Sequence, residues 1–247
     1  MGDLLQVRDL RISARIFPPD EAPREIEIVK GVSFDLPRGR VLGLIGESGA
    51  GKSTIGLAAL AYGRGGVRIS GGQVMVDGQD ILTLDRRGIR KLRGCRVCYV
   101  AQSAAAAFNP AHRLMDQVIE ATLLHGLMSR PEAEARARGL FATLGLPDPD
   151  HFGDRYPHQV SGGQLQRAMT AMALCPRPDL IVFDEPTTAL DVTTQLDVLA
   201  AIKHAIEETG TAALYITHDL AVVAQIADQI MVLRHGETVE YGETRQI

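Results

Sequence analysis

The segment Gly46–Ser53, GESGAGKS, has the residue types and the spacing of a phosphate-binding loop. Its glycines let backbone N–H groups turn inward around phosphate oxygens, and a helix that follows adds the positive end of its dipole. Lys52 offers a charge to the β- and γ-phosphates, and Ser53 offers a hydroxyl to Mg²⁺. The alternative is a glycine-rich turn that only ends a strand. The predicted nucleotide contacts are Gly46, Glu47, Ser48, Gly49, Ala50, Gly51, Lys52, Ser53 and Thr54.

Two carboxylates, Asp184 and Glu185, follow the apolar run Leu180–Phe183. Strands of a parallel sheet end at the crevice in which ligands bind. Asp184 is therefore predicted to hold Mg²⁺ through water, and Glu185 to polarise the attacking water. A solvated loop or helix start would give the same pattern, but the phosphate loop in the same chain favours the catalytic interpretation.

The elements around these residues predict an α/β fold. The apolar run Val41–Ile45 precedes the phosphate loop, as expected for a strand covered on both faces, and a helix is predicted over Ser53–Tyr62. Later strands alternate with helices, which implies a mainly parallel sheet. The predicted later elements are strands at Leu180–Phe183, Ala212–Ile216 and Ile230–Leu233, and helices at Val192–Ile206 and Leu220–Ala227.

Two further regions have different patterns. Alternating apolar residues in Leu4–Ile16, Ile26–Leu36 and Gly71–Val76 predict a small antiparallel β subdomain. Leu and Ala at helical spacing from Ser103 to about Tyr156 predict an inserted helical subdomain. The proline-rich, charged segment Pro18–Glu25 is predicted to be a surface loop.

The composition excludes several classes of protein. The chain has 247 residues, 45% apolar and 23% charged, as in an ordinary soluble globular protein. It contains no apolar run long enough to cross a bilayer and no secretory signal. A net charge of −4 and a pI near 6.0 argue against a nucleic-acid partner. Three cysteines are too few for a disulfide scaffold, so we expect a cytoplasmic protein.

Four more motifs carry a family resemblance. Ser161–Arg167, SGGQLQR, resembles the signature motif of the ATP-binding cassette (ABC) ATPases. Gln102, at a strand end, resembles the glutamine of their Q-loop, Asp191 the aspartate of their D-loop, and His218 their switch histidine. Together with the phosphate loop, these motifs occur in the family's order over nearly the whole chain. The chain is thereby identified as a member of this family.

The resemblance implies one ABC ATPase domain over residues 1–247. Its core, of the P-loop NTPase (RecA-like) type, would comprise residues 1–102 and 166–247 with the antiparallel β subdomain, and the helical subdomain about 103–165. ATP and Mg²⁺ are the implied cofactors. Two cassettes would form a head-to-tail dimer, in which the helix start at Ser161 and Gly163, and also Asp191, meet nucleotide.

The resemblance also assigns individual roles. His218 would bond the γ-phosphate and hold the attacking water in line, although a lone histidine after a strand is often structural. The implied catalytic residues are Lys52, Gln102, Glu185 and His218, and the implied Mg²⁺ ligands are Ser53, Gln102 and Asp184. Phe17 is the candidate for stacking on adenine, with core or loop packing as the alternative. Tyr62 is the competing aromatic, and we expect it in the core.

Several stretches resemble the oligopeptide, dipeptide and nickel importer subfamily; they include Phe108–Pro110, Tyr156–Gln159 and Glu185–Val192. This implies a subunit on the inner face of the cell membrane, bound to two multi-span permease subunits and to a second cassette, identical or homologous. An extracytoplasmic substrate-binding protein would be an indirect partner. A groove lined by Ala104–Phe108 would take a permease helix.

The chain departs from the subfamily in two respects. It stops at Ile247, before the usual tail, and Ala104–Ala107 replaces more polar residues.

A non-transport ABC ATPase in a soluble complex, such as a carbon–phosphorus lyase, is the alternative function. A chromosome-type ATPase is disfavoured, because only 59 positions separate Gln102 from Ser161, without heptads. Cys95 and Cys98 are expected to be structural, since no second pair completes a metal site.

Overall fold

The computed structural model describes residues 2–17, 22–187 and 191–247. The chain forms two compact units, the first comprising Met1–Ile89 and Ala212–Ile247 and the second Arg90–Thr211. The second unit contains strands as well as helices, so its limits differ from those predicted for the helical subdomain. The predicted boundaries at about 103 and 165 stay a prediction.

Strands and helices alternate along most of the chain. The strands are β1 (Asp3–Ile16), β2 (Arg24–Pro37), β3 (Val41–Gly46), β4 (Val67–Val76), β5 (Gln79–Asp80), β6 (Val97–Val100), β7 (Leu180–Asp184), β8 (Ala212–Ile216), β9 (Gln229–Arg234) and β10 (Glu237–Glu243). The helices are α1 (Lys52–Ala58), α2 (Arg86–Leu92), α3 (Ala104–Ala107), α4 (Leu114–Leu124), α5 (Arg130–Thr143), α6 (Pro149–Phe152), α7 (Gly162–Leu174), α8 (Val192–Thr209) and α9 (Leu220–Ile226). Among the helices in the described ranges, none combines the length and hydropathy that crossing a bilayer requires.

The first unit contains two sets of strands. One is antiparallel in the order β2-β1-β4-β5, which confirms the predicted β subdomain. In the other, β3 lies between β8 and β9 and runs parallel to both, while β10 pairs antiparallel with β9. β8 is buried along its whole length and β3 as far as Ile45, as their apolar runs predict for strands covered on both faces.

The second unit combines a parallel strand pair with most of the helices. β6 and β7 are in parallel register, with Val97 opposite Leu180 and Val100 opposite Phe183. The C-terminal end of α7 is held by α5, since the Arg136 guanidinium donates to the carbonyl oxygens of Cys175 at 2.8 Å and Leu174 at 3.0 Å. A cation at this position satisfies carbonyls that have no partner within the helix.

Two predicted boundaries were wrong. The helix predicted to reach Tyr62 ends at Ala58, because the backbone turns and Ala61 adopts a positive φ of 52°. The predicted loop over 18–25 is shorter at its C-terminal side, because β2 begins at Arg24 and pairs with Ile16. The four residues 18–21 of that loop lie outside the described residues.

Candidate active site

The phosphate loop connects β3 to α1 within the first unit. Gly46 has a φ of 150°, and a Cβ at this position would collide with the backbone oxygen of Leu233 in β9. Gly51, the N-cap of α1, is left-handed with a φ of 99°, and no side chain caps the helix. Only glycine adopts such backbones without strain, so the loop's shape follows from its sequence.

The Lys52 side chain is buried against its own loop. Its Nζ donates to the carbonyl oxygens of Gly46 at 2.6 Å and Glu47 at 2.9 Å. Ser53 is exposed in the first turn of α1, with Thr54 half-buried beside it. The lysine is therefore held where the loop carries its phosphate-binding amides, as the motif predicts.

His218 emerges at the same sheet edge as the phosphate loop. Leu44 of β3 lies opposite Ile216 of β8, and the N–H of Thr217 donates to the Leu44 carbonyl at 3.1 Å. Gly46 lies two residues after Leu44 and His218 two residues after Ile216, so both are at the carboxyl ends of neighbouring parallel strands. The exposed His218 thus belongs to the ligand-binding edge of this unit.

The predicted acidic strand end lies in the second unit. β7 is buried throughout, and Asp184 at its end is 8% exposed. Its Oδ2 accepts a hydrogen bond from the Tyr99 hydroxyl of β6 at 2.6 Å. Sequence reasoning missed Tyr99, although an aromatic residue with a hydroxyl three positions before Gln102 was a usable signal.

The backbone changes conformation sharply at Glu185, the residue after Asp184. The φ of Glu185 is 49°, in the left-handed region that non-glycine residues seldom adopt. The Gln102 amide Nε2 lies 3.5 Å from the Glu185 Oε2. The second unit therefore brings together Gln102, Asp184 and Glu185, which the sequence predicted to act on the same reaction.

The signature motif forms the start of α7. Ser161 is its N-cap: the Ser161 Oγ accepts from the Gln164 N–H at 3.3 Å, and the Gln164 Oε1 accepts from the Ser161 N–H at 3.1 Å. This capping box confirms the predicted capping role of Ser161. A Cβ on Gly163 would lie 2.5 Å from the Thr194 Cγ2 of α8, so glycine permits a close approach of the two helices.

Asp191 is the N-cap of α8. Its Oδ1 accepts from the Thr194 N–H at 3.0 Å, and its Oδ2 from the Thr194 hydroxyl at 2.7 Å. These hydrogen bonds favour the carboxylate and lower the pKa of Asp191. The preceding D-loop residues 188–190 lie outside the described residues.

These motifs are accompanied by similarity along the chain. A family profile described as "ABC transporter" matches residues 29–188. The chain belongs to the ABC transporter family.

Relatives of this ABC cassette include two peptide-transport proteins of Escherichia coli (strain K12). The probable D,D-dipeptide transport ATP-binding protein DdpD is 38% identical over 245 residues, 99% of this chain and 73% of its own length. The oligopeptide transport ATP-binding protein OppD is 38% identical over 244 residues, 99% of this chain and 71% of its own length.

A solved cassette has the same fold. The dimeric post-hydrolysis structure of the ATP-binding cassette MJ0796, bound to ADP and Pi, is 26% identical to this chain. Its TM-score is 0.81, with 98% of this chain and 99% of that chain covered. The predicted fold class and ATPase activity of the chain are thereby confirmed.

The two aromatic candidates for adenine stacking are both at the surface of the first unit. Phe17 is 70% exposed, and the Arg15 guanidinium carbon lies 5.4 Å from the centre of its ring. Tyr62 is 43% exposed, so its expected place in the core was wrong. The early end of α1 explains this, because Tyr62 lies beyond the helix rather than on its buried face.

The expected permease-binding groove at Ala104–Phe108 stays a prediction, and only part of this segment lies at the surface. Ala105, Ala106 and Ala107 of α3 are exposed, whereas Ala104 and Phe108 are buried and present no surface. Large exposed apolar residues occur further along, at Leu124, 79% exposed at the end of α4, and at Leu127. Leu124 borders a cavity of about 650 Å³, which α4 and the segment before it line.

Of the Cys95–Cys98 pair, Cys98 is buried in β6, and burial raises the pKa of its thiol to about 12. Such a thiol stays protonated near neutral pH and acts as a small apolar side chain.

Proposed function

We propose that this ABC cassette powers the import of peptides, or of a related small solute, into the cell. The observation that carries the proposal is the similarity, over 99% of the chain, to ATP-binding proteins of dipeptide and oligopeptide transport. These relatives do not favour the alternative, a cassette in a soluble enzyme complex. The ATPase would work at the inner face of the membrane, bound to permease subunits that themselves receive solute from an extracytoplasmic binding protein.

Each unit of the cassette contributes its own part of the ATP chemistry. In the first unit, the phosphate loop and Lys52 bind the phosphates, and His218 bonds the γ-phosphate. In the second unit, Glu185 takes a proton from the attacking water, and the Gln102 amide orients that carboxylate. The reaction is then ATP hydrolysis with in-line attack of water on the γ-phosphate.

The chain's donors fit the chemistry of Mg²⁺. Ser53 provides an exposed hydroxyl in the first unit, and Gln102 and Asp184 provide an amide and a carboxylate oxygen in the second. Hard oxygen donors, few in number, are what Mg²⁺ takes from protein when phosphates complete its shell. Bound Mg²⁺ would neutralise charge on the β- and γ-phosphates.

The start of α7 is proposed to bind ATP on a second cassette. Its N-terminal amides, at the positive end of the helix dipole, suit an anion, and Gly162 and Gly163 let phosphate approach closely. Asp191 lies at the start of α8 next to this helix start. ATP held between two head-to-tail cassettes would bind the closed dimer more tightly than the separated cassettes, and it would therefore favour the closed dimer.

Phe17 is proposed to stack on the adenine ring. It is exposed, and an exposed aromatic side chain is available to a ligand in a way that a core residue is not. The phosphate loop contacts the same hairpin, since a Cβ on Gly51 would lie 3.1 Å from the Val29 side chain of β2. Val29 is the partner of Ile12 in β1, and Phe17 follows Ile16, the last residue of that strand.

The permease is proposed to dock on α4. The exposed Leu124, with Leu123, provides an apolar edge to a cavity whose other lining residues are polar. Asp116, Glu120 and Arg130 line the same cavity, and the Arg130 guanidinium pairs with the Asp116 carboxylate at 3.1 Å.

The first test separates ATP binding from hydrolysis. Glu185→Gln should bind ATP, hydrolyse it about 10²- to 10⁴-fold more slowly, and accumulate as a dimer in ATP during size-exclusion chromatography. Glu207→Gln, an exposed carboxylate on α8, is the control and should behave as wild type. Near-normal turnover of Glu185→Gln would contradict the assignment of Glu185 as the base.

The second test identifies the partner. Tagged protein is purified from detergent-solubilised native membranes, and what comes with it is identified by mass spectrometry. Two multi-span proteins are expected to come with the wild-type cassette. The amount recovered should fall with Leu124→Glu and stay unchanged with Val239→Glu, which alters another exposed apolar residue. Capture of soluble enzymes alone would favour the alternative function, without affecting the ATP chemistry.

A further inference from the structure

Tyr99 and Asp184 lie on adjacent parallel strands of the second unit. Tyr99 of β6 is opposite Val182 of β7 in the strand register. Asp184 is two residues further along β7, so it lies on the same face of the sheet as Val182. A tyrosine is long enough to cross this diagonal, and its hydroxyl reaches the Asp184 Oδ2 at 2.6 Å.

This hydrogen bond is of the strong kind. Asp184 is 8% exposed and follows four fully buried residues, where a carboxylate without partners would be costly. A distance of 2.6 Å is typical of a hydroxyl that donates to an ionised carboxylate, and such bonds are about twice as strong as neutral ones. The phenol therefore fixes the plane of the carboxylate and the direction in which its other oxygen points.

We propose that Tyr99 is a positioning residue that orients the Asp184 carboxylate for the magnesium ion of ATP. The inference rests on the role of Asp184 in the proposed function. Residues that hydrogen-bond a metal-binding side chain commonly change metal affinity about 10- to 100-fold when they are replaced. Tyr99 acts through Asp184 and does not itself contact nucleotide or metal.

The test replaces Tyr99 by Phe, which removes one oxygen and keeps the ring in place. Mn²⁺ serves as the probe, and its binding to the cassette with ADP is measured by electron paramagnetic resonance. Tyr99→Phe should weaken Mn²⁺ binding by about 10-fold or more, while ADP affinity in EDTA stays unchanged. Tyr241→Phe is the matched control, because the Tyr241 hydroxyl donates to a backbone oxygen, that of Asp35, in the other unit.

Asp184→Asn separates the two ideas. If Asp184→Asn binds Mn²⁺ as well as wild type does, the proposed role of Asp184 fails, and the role of Tyr99 fails with it. If Asp184→Asn loses Mn²⁺ but Tyr99→Phe binds it within twofold of wild type, only the role of Tyr99 is overturned. If the phenylalanine variant does not fold, Mn²⁺ binding is measured instead with Tyr99→Met, which also lacks the hydroxyl, and the same outcomes apply.

Discussion

Two glycine-rich helix starts in this cassette, α1 and α7, satisfy their first N–H groups differently. At α1 the N-cap is Gly51, and no side chain caps the helix. At α7 the Ser161 hydroxyl and the Gln164 side chain form a reciprocal capping box. The first N–H groups of α1 are thus left to a ligand, whereas the chain itself caps the start of the signature helix.

The largest effect that tests this comparison is expected at Lys52. Lys52→Ala removes the cation of the phosphate loop and should weaken ATP binding about 100-fold, because charge-assisted hydrogen bonds to phosphate are lost. Titration of a fluorescent ATP analogue measures the change. Lys91→Ala, at an exposed lysine of α2, is the control. Unchanged ATP affinity of Lys52→Ala would contradict the view that the phosphate loop at the start of α1 is arranged for a ligand.

Gly163→Ala should be the next largest effect, and it acts on stability. The added Cβ would lie 2.5 Å from the Thr194 Cγ2, so the free energy of unfolding should fall by about 1–3 kcal/mol in urea titrations. Gly162→Ala is the matched control, since a Cβ there meets nothing within 4 Å.

A second substitution sharpens this prediction. Thr194→Ser removes the Cγ2 and keeps the hydroxyl that donates to Asp191. Added to Gly163→Ala, it should restore most of the lost stability. Equal losses with and without Thr194→Ser would show that the close approach of α7 and α8 is not the cause.

Ser161→Ala should have a smaller effect. Loss of the capping hydroxyl should lower the free energy of unfolding by about 1 kcal/mol, whereas Ser161→Gly should cost only a few tenths. Chemical unfolding of nucleotide-free protein measures both. If the alanine variant is as stable as wild type, the Ser161 side chain does not stabilise the start of α7, and the proposed difference between α7 and α1 is wrong.

The smallest effect concerns the pH dependence at Asp191. Its pKa is lowered in the folded state by hydrogen bonds from Thr194, so its contribution to stability is present above the ordinary carboxyl pKa. That contribution is lost as the pH falls through the lowered value. The difference in urea midpoint between wild type and Asp191→Asn should be constant near neutral pH and disappear in acid. A difference that persists at the acid end would mean that the charge of Asp191 does not contribute.

The sequence predicted the elements whose pattern is local. Val41–Ile45 and Leu180–Phe183 are unbroken apolar runs of strand length, which are typical of strands buried on both faces, so β3, β7 and the residues after each could be placed. The cap at Ser161 follows from residues three positions apart and could be predicted for the same reason.

Features that depend on distant residues could not be predicted in this way. The hydrogen bond between Tyr99 and Asp184 depends on the register of two strands 85 residues apart. The exposure of Tyr62 depends on a positive φ at Ala61, for which alanine provides no signal. Likewise, burial of Phe108 depends on where the short α3 packs, and an apolar residue suits a groove and a core equally well.

The two hydrogen bonds from Lys52 to the Gly46 and Glu47 carbonyls hold its ammonium inside the phosphate loop by contacts with the chain itself. A lysine side chain loses about 2 kcal/mol of rotamer entropy when it is fixed, and a side chain that is already held loses less of it when phosphate binds. The lysine is thus preorganised as well as charged, and preorganisation reduces the entropic cost of filling the loop.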